Sequence, residues 1–189
     1  KNAKEFVLID VNELAKDSEF YQFANWSISP KEDLIAYAED TTGRREYNIK
    51  FKDLSTGQTY KNGLSNSSGD MAWSSDGRYL FYVLRDQETL LPFKLFRHEI
   101  GSSQSEDVLV YEEKDPTFYL SVGNSRSMQF IEINISSTTS SEVRLINADS
   151  PEEPPYMFLK RESDHLYSIE HDPENNRFLI ETNWLAKNF

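Results

Sequence analysis

Short runs of apolar residues, separated by polar turns, follow one another along the whole chain. The runs are rich in Val, Ile, Tyr, Phe and Thr, and several alternate strictly with polar residues. Because successive side chains of a β-strand point to opposite faces, this two-residue periodicity predicts strands. The exception is the segment Val11-Asn12-Glu13-Leu14-Ala15-Lys16, which predicts a short helix after a strand at Leu8-Ile9.

The strands recur with a fixed period. Residues 26–37 and 71–82 share one pattern, a strand with Trp and Ser, a turn, and a second strand that ends in Tyr. Tyr37 and Tyr82 are 45 residues apart (82 − 37), and weaker copies follow near residues 131 and 179. A second landmark closes each unit at a spacing of 46 residues: Leu54, Ile100 and Ile146. Two landmarks with nearly the same period indicate a true structural repeat.

Each repeat predicts a four-stranded antiparallel unit. Asp76-Gly77 lies between two predicted strands, and Gly adopts the positive φ of a tight hairpin turn at low cost. Units of about 45 residues with four short strands are typical of β-propeller blades. We therefore predict an all-β fold over residues 1–189, part of an N-terminal propeller domain. It should contain three complete blades, a flanking strand at the start and the opening hairpin of another blade at the end.

The repeated aromatic residues are predicted to pack between blades. They recur in the strands of the first two units, where apolar packing explains them better than ligand stacking. The histidines are predicted to be structural and exposed: His98 at a solvent-facing strand position, and His165 and His171 at strand edges. The aromatic residues in question are Trp26, Tyr37, Trp73 and Tyr82.

Composition and charge exclude several classes of partner. The 32 acidic and 20 basic residues give a formal charge of −12, which repels nucleic acid and anionic lipid. No apolar run is long enough for a membrane helix. The chain has no cysteine, which excludes disulfides and thiolate metal sites and favours a cytoplasmic location. We predict no metal and no cofactor.

The sequence contains no convincing catalytic motif. A nucleophile elbow requires the pattern Gly-x-Ser-x-Gly at a strand-to-helix turn. The nearest match, Gly123-Asn124-Ser125-Arg126-Ser127, lacks the final Gly and a following helix. We therefore predict no catalytic residue within this chain.

Several motifs resemble one peptidase family. The segments Lys52-Asp53-Leu54-Ser55-Thr56-Gly57 and Asp107-Val108-Leu109-Val110-Tyr111-Glu112-Glu113-Lys114-Asp115-Pro116 are similar to the propeller of the oligopeptidase B branch of the prolyl oligopeptidase family. The resemblance implies a serine peptidase whose seven-bladed propeller covers an α/β-hydrolase domain and admits only short peptides, which are cleaved after Arg or Lys. It places the catalytic Ser, Asp and His in a C-terminal peptidase domain outside this sequence, the partner of the propeller.

One loop is predicted to contribute to function. Residues 112–115 should connect an outer strand to the next inner strand and emerge on one side of the propeller. We expect Glu112, Glu113 and Asp115 to favour short basic peptides through their negative potential, and Arg126 to form an ion pair across the seam between the domains. The alternative is an ordinary solvated charge run.

Two further expectations follow from a partial propeller. The fold alone is also compatible with a stand-alone scaffold that binds other proteins through its loops. Because an incomplete ring exposes two unpaired flanks, the isolated chain should self-associate through the exposed edges of its blades.

Overall fold

The computed structural model describes residues 5–186, and β-strands dominate this range. It begins with a short helix, α1 (Val11–Ala15), whose first turn is capped by the Asp10 carboxylate; Asn12 N and Glu13 N donate to it. A single 3-10 turn covers Gln104–Glu106. The strands of this range are β1 (Gln22–Ile28), β2 (Leu34–Asp40), β3 (Tyr47–Asp53), β4 (Leu64–Trp73), β5 (Tyr79–Arg85), β6 (Pro92–Glu99), β7 (Val108–Glu112), β8 (Tyr119–Asn124), β9 (Phe130–Ser136), β10 (Ser141–Asn147), β11 (Tyr156–Leu159), β12 (Tyr167–Asp172) and β13 (Arg177–Thr182).

The strands form three complete four-stranded blades and the opening hairpin of a fourth. Blade 1 contains β1, β2, β3 and the first part of β4; blade 2 contains the second part of β4 with β5, β6 and β7. Blade 3 contains β8 to β11, and β12 pairs with β13. All pairings are antiparallel. The predicted partial propeller, with three blades and a final hairpin, is confirmed.

The strand β4 belongs to two blades at once. Its first part pairs with β3 through Leu64 and Ser67, and its second part pairs with β5 through Met71 and Trp73. Between these parts the chain turns at Gly69, whose φ is +91°. Blades 1 and 2 therefore form one continuous sheet of seven strands, whereas blade 3 is a separate sheet.

The predicted strand at Leu8-Ile9 is wrong. Within residues 5–186 the segment before α1 pairs with no strand. It instead lies over blade 1, where Lys52 Nζ donates to the Leu8 carbonyl at 2.6 Å. Val7 and Ile9 line an apolar hollow against Trp26.

The Asp76-Gly77 hairpin is confirmed. Gly77 has a φ of +66°, and the Asp76 carboxylate accepts hydrogen bonds from Arg78 N at 2.9 Å and from Ser74 Oγ at 2.6 Å. The turn joins β4 to β5 in blade 2. Gly is required here because an L side chain adopts this φ only with strain.

The core lies between successive blades, which pack face to face. Trp73 and Tyr82 are fully enclosed between blades 1 and 2, and Tyr37 is buried on the other face of blade 1. Burial of such side chains stabilises the fold by roughly 1.5–3 kcal/mol each. The prediction for Trp26 is wrong within the described chain: 54% of its surface is exposed. Trp26 faces away from blade 2, and residues 5–186 contain no blade on that side.

Two histidines are more buried than predicted. His98 is 2% exposed and His171 is 4% exposed, so neither faces solvent. Each has a polar partner from a distant part of the chain: Asp107 Oδ1 lies 2.7 Å from His98 Nδ1, and Ser127 Oγ lies 2.8 Å from His171 Nδ1. These partners compensate the cost of removing an imidazole from water. His165 is partly exposed.

The antiparallel connections sort the turns onto two sides of the propeller. We call one the front side; it carries residues 41–46, 86–91, 113–118, 137–140 and 160–166. The back side carries residues 29–33, 54–63, 74–78, 100–107, 125–129, 148–155 and 173–176.

One carboxyl group at the contact between blade 3 and the final hairpin should make stability depend on pH. Burial, and then repulsion from Glu170, raise the pKa of Glu132 from its ordinary value of 4.5 to about 7. A raised pKa in the folded state means that stability falls as pH rises from about 4.5 to 7 and stays lower above it. Replacing Glu132 by Gln should remove this penalty and stabilise the chain at pH 8 by about 1–2 kcal/mol, the partial exposure of the side chain reducing the effect.

Urea unfolding of the chain and of Glu132→Gln at pH 8 and pH 5.5 measures this effect. The gain should be clearly smaller at the lower pH, because the folded parent is then mostly protonated at this position. Glu174→Gln, in the exposed turn of the final hairpin, is a matched control and should change little at either pH. An equal gain at both pH values for Glu132→Gln would contradict the argument.

Candidate functional site on the front side

The acidic loop predicted from the sequence lies on the front side of the propeller. Residues 113–118 connect β7, the outer strand of blade 2, to β8, the inner strand of blade 3, as predicted. The turn 86–91 of blade 2 lies beside it. Together they enclose a cleft of about 180 Å³ with apolar walls from Leu91, Phe93 and Phe118.

Glu113 is the buried anchor of this loop and is 8% exposed. Its Oε2 accepts hydrogen bonds from Arg161 Nη2 at 2.5 Å and from Tyr111 Oη at 3.0 Å. Its Oε1 accepts one from Asp115 N at 2.8 Å. Burial alone would raise the pKa of Glu113, but the hydrogen bonds and the charge of Arg161 outweigh burial and lower it. Glu113 is therefore ionised and holds the loop in place.

Arg161 joins two carboxylates from different elements. Besides Glu113, its Nε donates to Glu142 Oε2 at 3.0 Å, and Glu142 Oε1 accepts from Arg144 Nε at 2.8 Å. The Arg161 guanidinium also lies 3.9 Å from the ring centroid of Phe118. Two carboxylates and two guanidinium groups cancel in charge. Glu113 thus adds little net negative potential to the front side.

Glu112 is in an ion pair, whereas Asp115 is not. Glu112 lies 3.5 Å from Lys94 Nζ in a partly exposed ion pair. Asp115 is exposed, and its Oδ1 accepts from Thr117 N at 3.0 Å and from Thr117 Oγ1 at 2.7 Å. The Thr117 hydroxyl and amide lower the pKa of Asp115. Asp115 forms no ion pair within residues 5–186, although the charge of Arg161 also contributes to its lowered pKa.

The structure adds Asp86 to the site, which the sequence analysis missed. Asp86 Oδ1 accepts from Thr89 N at 2.8 Å and from Thr89 Oγ1 at 2.9 Å, and these bonds lower its pKa. Asp86 and Asp115 both line the cleft and both cap their own turns. The shared Asp-to-Thr turn chemistry, together with the same side of the blade, was the signal available in the sequence. Lys94 and Arg161 already stack on the Phe93 and Phe118 walls, and Lys114 also lines the cleft. What the cleft offers a cationic side chain is therefore the two ionised carboxylates.

Arg126 does not join this site. It lies in the hairpin between β8 and β9, and β8 runs from the front side to the back side. The hairpin is therefore at the opposite end of the blade from Asp115. Arg126 is exposed and forms no ion pair or hydrogen bond within residues 5–186. Its predicted ion pair across a domain seam stays a prediction, and it concerns a different side from the predicted acidic loop.

The near-match to a nucleophile elbow has a structural explanation. Ser125 is 2% exposed, and its Oγ lies 2.9 Å from Ser127 Oγ and accepts from Phe130 N at 3.1 Å. The segment forms a strand-to-strand hairpin, without the strained helix turn that exposes a nucleophile. Within residues 5–186 no three acidic or His side chains are grouped closely enough to hold a metal ion. No helix in the described range is long and apolar enough to cross a membrane.

Comparison with known proteins agrees with the propeller architecture. The family model described as prolyl oligopeptidase, N-terminal beta-propeller domain, matches residues 1–189. The chain therefore belongs to the prolyl oligopeptidase family and forms part of its N-terminal propeller domain.

The chain is similar to one part of several larger proteins. It is 42% identical over 181 residues to dipeptidyl aminopeptidase BI of Pseudoxanthomonas mexicana, covering 96% of this chain and 25% of the relative. It is 36% identical over 191 residues to Protease 2 of Moraxella lacunata, covering 100% of this chain and 27% of the relative. The structure of oligopeptidase B from Leishmania major matches with a TM-score of 0.87 and 31% identity, over 93% of this chain and 25% of that one. The chain thus spans about a quarter of the length of these proteins.

Proposed function

We propose that this chain is the non-catalytic propeller portion of a serine oligopeptidase that cleaves short peptides after Arg or Lys. The propeller excludes folded proteins by size, and a C-terminal peptidase domain of the same protein carries out the reaction. In that domain a Ser nucleophile, activated by a His base that an Asp orients, transfers the acyl group without a metal or organic cofactor. Membership of the family and the similarity to oligopeptidase B support this proposal. Cytoplasmic location belongs to the same proposal and rests on the absence of cysteine.

The observation that carries the preference for basic peptides is the front cleft. Asp86 and Asp115 present two ionised carboxylates in this cleft, and their negative charge attracts an Arg or Lys side chain. Glu113 supports the cleft from behind through Arg161. We therefore propose that the front side faces the peptidase domain and concentrates basic peptides near it.

One relative supports a second candidate specificity, that of an aminopeptidase. The relative at 42% identity is named a dipeptidyl aminopeptidase, a name that denotes removal of dipeptides from a free amino terminus. An amino-blocked Arg peptide and an unblocked dipeptide, both with a chromogenic leaving group, separate the two activities. Turnover of the blocked peptide supports the oligopeptidase, and turnover of the unblocked dipeptide alone supports the aminopeptidase. If the intact protein turns over neither, the scaffold function becomes the better proposal.

Neutralising the front cleft tests the role of its carboxylates. In the intact protein, Asp86→Asn combined with Asp115→Asn should lower kcat/KM for the Arg peptide by about 3–10-fold and weaken its dependence on salt, because electrostatic attraction is lost. Asn can cap the same turns, so the fold should persist. Turnover of a neutral blocked peptide should not change.

Asp149→Asn is the matched control, because Asp149 is exposed on the back side. It should leave both peptides unaffected. Unchanged turnover and salt dependence in the double variant would contradict the proposed role of the cleft. The 189-residue chain alone is expected to hydrolyse none of these peptides.

A further inference from the structure

A short segment on the back side, residues 61–63, is not held by hydrogen bonds. Just before it, Tyr60 N donates to the Phe51 carbonyl at 2.8 Å. Just after it, Leu64 opens β4 and pairs with Ile49 of β3. Within the described range, none of the three residues between these points forms a hydrogen bond. Their backbone can therefore rotate locally while the sheet on either side stays paired.

This segment contains Asn62-Gly63, the only Asn-Gly step of the sequence. In such a step the backbone nitrogen of the glycine can attack the side-chain carbonyl carbon of the asparagine and close a five-membered ring. Glycine permits the attack best, because it has no Cβ beside the nitrogen and few restrictions on its backbone angles. Asn62 is exposed and Gly63 is partly exposed. Neither the Asn62 side-chain amide nor the Gly63 N–H has a hydrogen-bond partner within residues 5–186, so both reacting groups are free.

The sheet itself requires glycine at position 63. A Cβ added to Gly63 would lie 2.6 Å from the Ile49 carbonyl oxygen, closer than Cβ atoms approach backbone oxygens in proteins. Close packing on β3, and not a turn with positive φ, thus fixes this glycine. The same residue leaves the ring closure unhindered.

The Asp76-Gly77 hairpin could close the same ring, but its contacts prevent this. Gly77 N donates to the Ser74 carbonyl at 2.9 Å, so the attacking nitrogen is engaged. Burial alone would raise the pKa of Asp76, but hydrogen bonds from Ser74 Oγ and Arg78 N outweigh burial and lower it. An ionised carboxylate resists attack by a nucleophile, so this step should not react in the folded protein.

The step Asn124-Ser125 is also held. The Asn124 side chain accepts from Trp73 N and donates to the Trp73 carbonyl, both at 2.8 Å. Ser125 N donates to the Phe130 carbonyl at 2.8 Å. Asn62-Gly63 differs from both of these steps, because its electrophile and its nucleophile are unengaged.

We propose that Asn62 is a site of spontaneous deamidation. Gly63 N forms a bond to Asn62 Cγ, the bond from Cγ to the side-chain nitrogen breaks, and ammonia leaves with the proton of the Gly63 amide. Water then opens the cyclic imide. Opening at Cγ gives aspartate, and opening at the main-chain carbonyl of residue 62 gives isoaspartate. The proposal goes beyond the proposed function and does not depend on the substrate of the peptidase.

The isoaspartate product should loosen the pairing of β3 with the first part of β4. Isoaspartate adds one methylene carbon to the main chain immediately before Gly63, whose Cα is packed against Ile49. Leu64, the next residue, is 1% exposed and cannot shift without losing its contacts in the core. Aspartate leaves the length of the main chain unchanged, so it should not have this effect.

Peptide mapping of the intact protein after incubation of the folded form at pH 8 tests the proposal. Digestion before aspartate residues under mildly acidic conditions releases residues 53–69, a peptide that contains both Asn62 and Asn66. Tandem mass spectrometry then reports the replacement of the amide by a carboxyl group at each position. Asn62 should react at least about tenfold faster than Asn66, because Ser67 is 0% exposed and attack by its nitrogen requires local opening of the sheet.

Two variants and one further measurement complete the test. Asn62→Gln should abolish the fast reaction, because Gln would have to close a larger ring, and Asn175→Gln, in the exposed turn of the final hairpin, should retain it. Hydrogen exchange of the aged protein should show a faster fraction over residues 47–53 that matches the isoaspartate content, and freshly purified Asn62→Asp should not show it. No reaction at Asn62, or equal rates at Asn62 and Asn66, would overturn the proposed site. Isoaspartate without faster exchange would overturn its proposed effect on blade 1.

Discussion

Replacing Arg161 by Ala is expected to lower the free energy of unfolding by about 2–4 kcal/mol, because it leaves Glu113 and Glu142 without their shared cation. Both carboxylates are buried, and although Glu142 keeps Arg144, Glu113 loses its only cation. An unpaired buried charge costs more than the ion pair itself contributes. Guanidinium chloride is unsuitable for this measurement since it screens charges, so urea unfolding at low salt is preferred.

The pH dependence of the Arg161→Ala effect tests its cause. The pKa values of Glu113 and Glu142 are lowered in the fold despite their burial, so the stability they contribute is present above their ordinary value of 4.5 and is lost as pH falls through the lowered values. The difference between parent and variant should therefore narrow at acidic pH. A constant difference would point to lost packing on Phe118 instead.

Two further variants separate charge from packing at this site. Arg126→Ala, which removes an exposed Arg without a partner in the described range, should change stability by less than about 0.5 kcal/mol. Arg161→Met combined with Glu113→Gln removes the guanidinium together with the carboxylate that only Arg161 neutralises, leaves the pair of Glu142 and Arg144 in place, and should recover part of the loss. A loss for this double variant as large as for Arg161→Ala would show that unpaired charge is not the cause.

Replacing Trp73 by Ala is expected to destabilise the chain by about 3–5 kcal/mol. Trp73 is 0% exposed and packs between blades 1 and 2, with its ring 6.3 Å from that of Phe51. The substitution therefore removes a large apolar surface and leaves a cavity that the rigid sheets fill only partly. The shift of the urea midpoint at constant slope measures the effect.

Trp26→Ala is the matched control, since Trp26 also lies on the innermost strand of its blade and faces the same direction along the stack. With 54% of its surface exposed, its loss should cost less than about 1 kcal/mol in this chain. Similar losses for the two variants would mean that blade-to-blade contact is not what stabilises Trp73.

The repeat explains why the fold was predictable and where prediction failed. Local periodicity and turn chemistry are encoded within each unit, so the blades and the Asp76-Gly77 hairpin could be read directly. Contacts between units are not local. The exposure of Trp26 and the burial of His98 depend on which blade lies alongside, which a pattern within one strand does not contain. The absence of a strand at Leu8-Ile9 has the same origin, because the apolar pattern of this segment is met by side-chain contacts with blade 1 without strand pairing.

The position of the candidate site could be predicted from the sequence, but the ion pairs and hydrogen bonds of its residues could not. The loop 113–118 lies on the front side because it connects the end of β7 to the start of β8. The pairing of Glu113 with Arg161, however, joins residues 48 positions apart and depends on how blades 2 and 3 meet. The location of Arg126 could have been derived from strand direction alone, since the two ends of β8 lie on opposite sides. The same argument from strand direction would have placed Asp86 on the front side beside the loop 113–118.

Because β4 is continuous, the contact between blades 1 and 2 should resist a pulling force better than the contact between blades 2 and 3. Blades 1 and 2 share an unbroken strand, so a force that separates them must break a hydrogen-bonded ladder, that of β4 with β3 or that of β4 with β5. Blades 2 and 3 are joined by the loop 113–118, by side-chain contacts that include the Arg161 ion pairs, and by a backbone hydrogen bond from Ser75 N to the Ala148 carbonyl, but they share no ladder. We expect a pulling force to separate blade 3 from blade 2 first, while blades 1 and 2 stay together as one sheet.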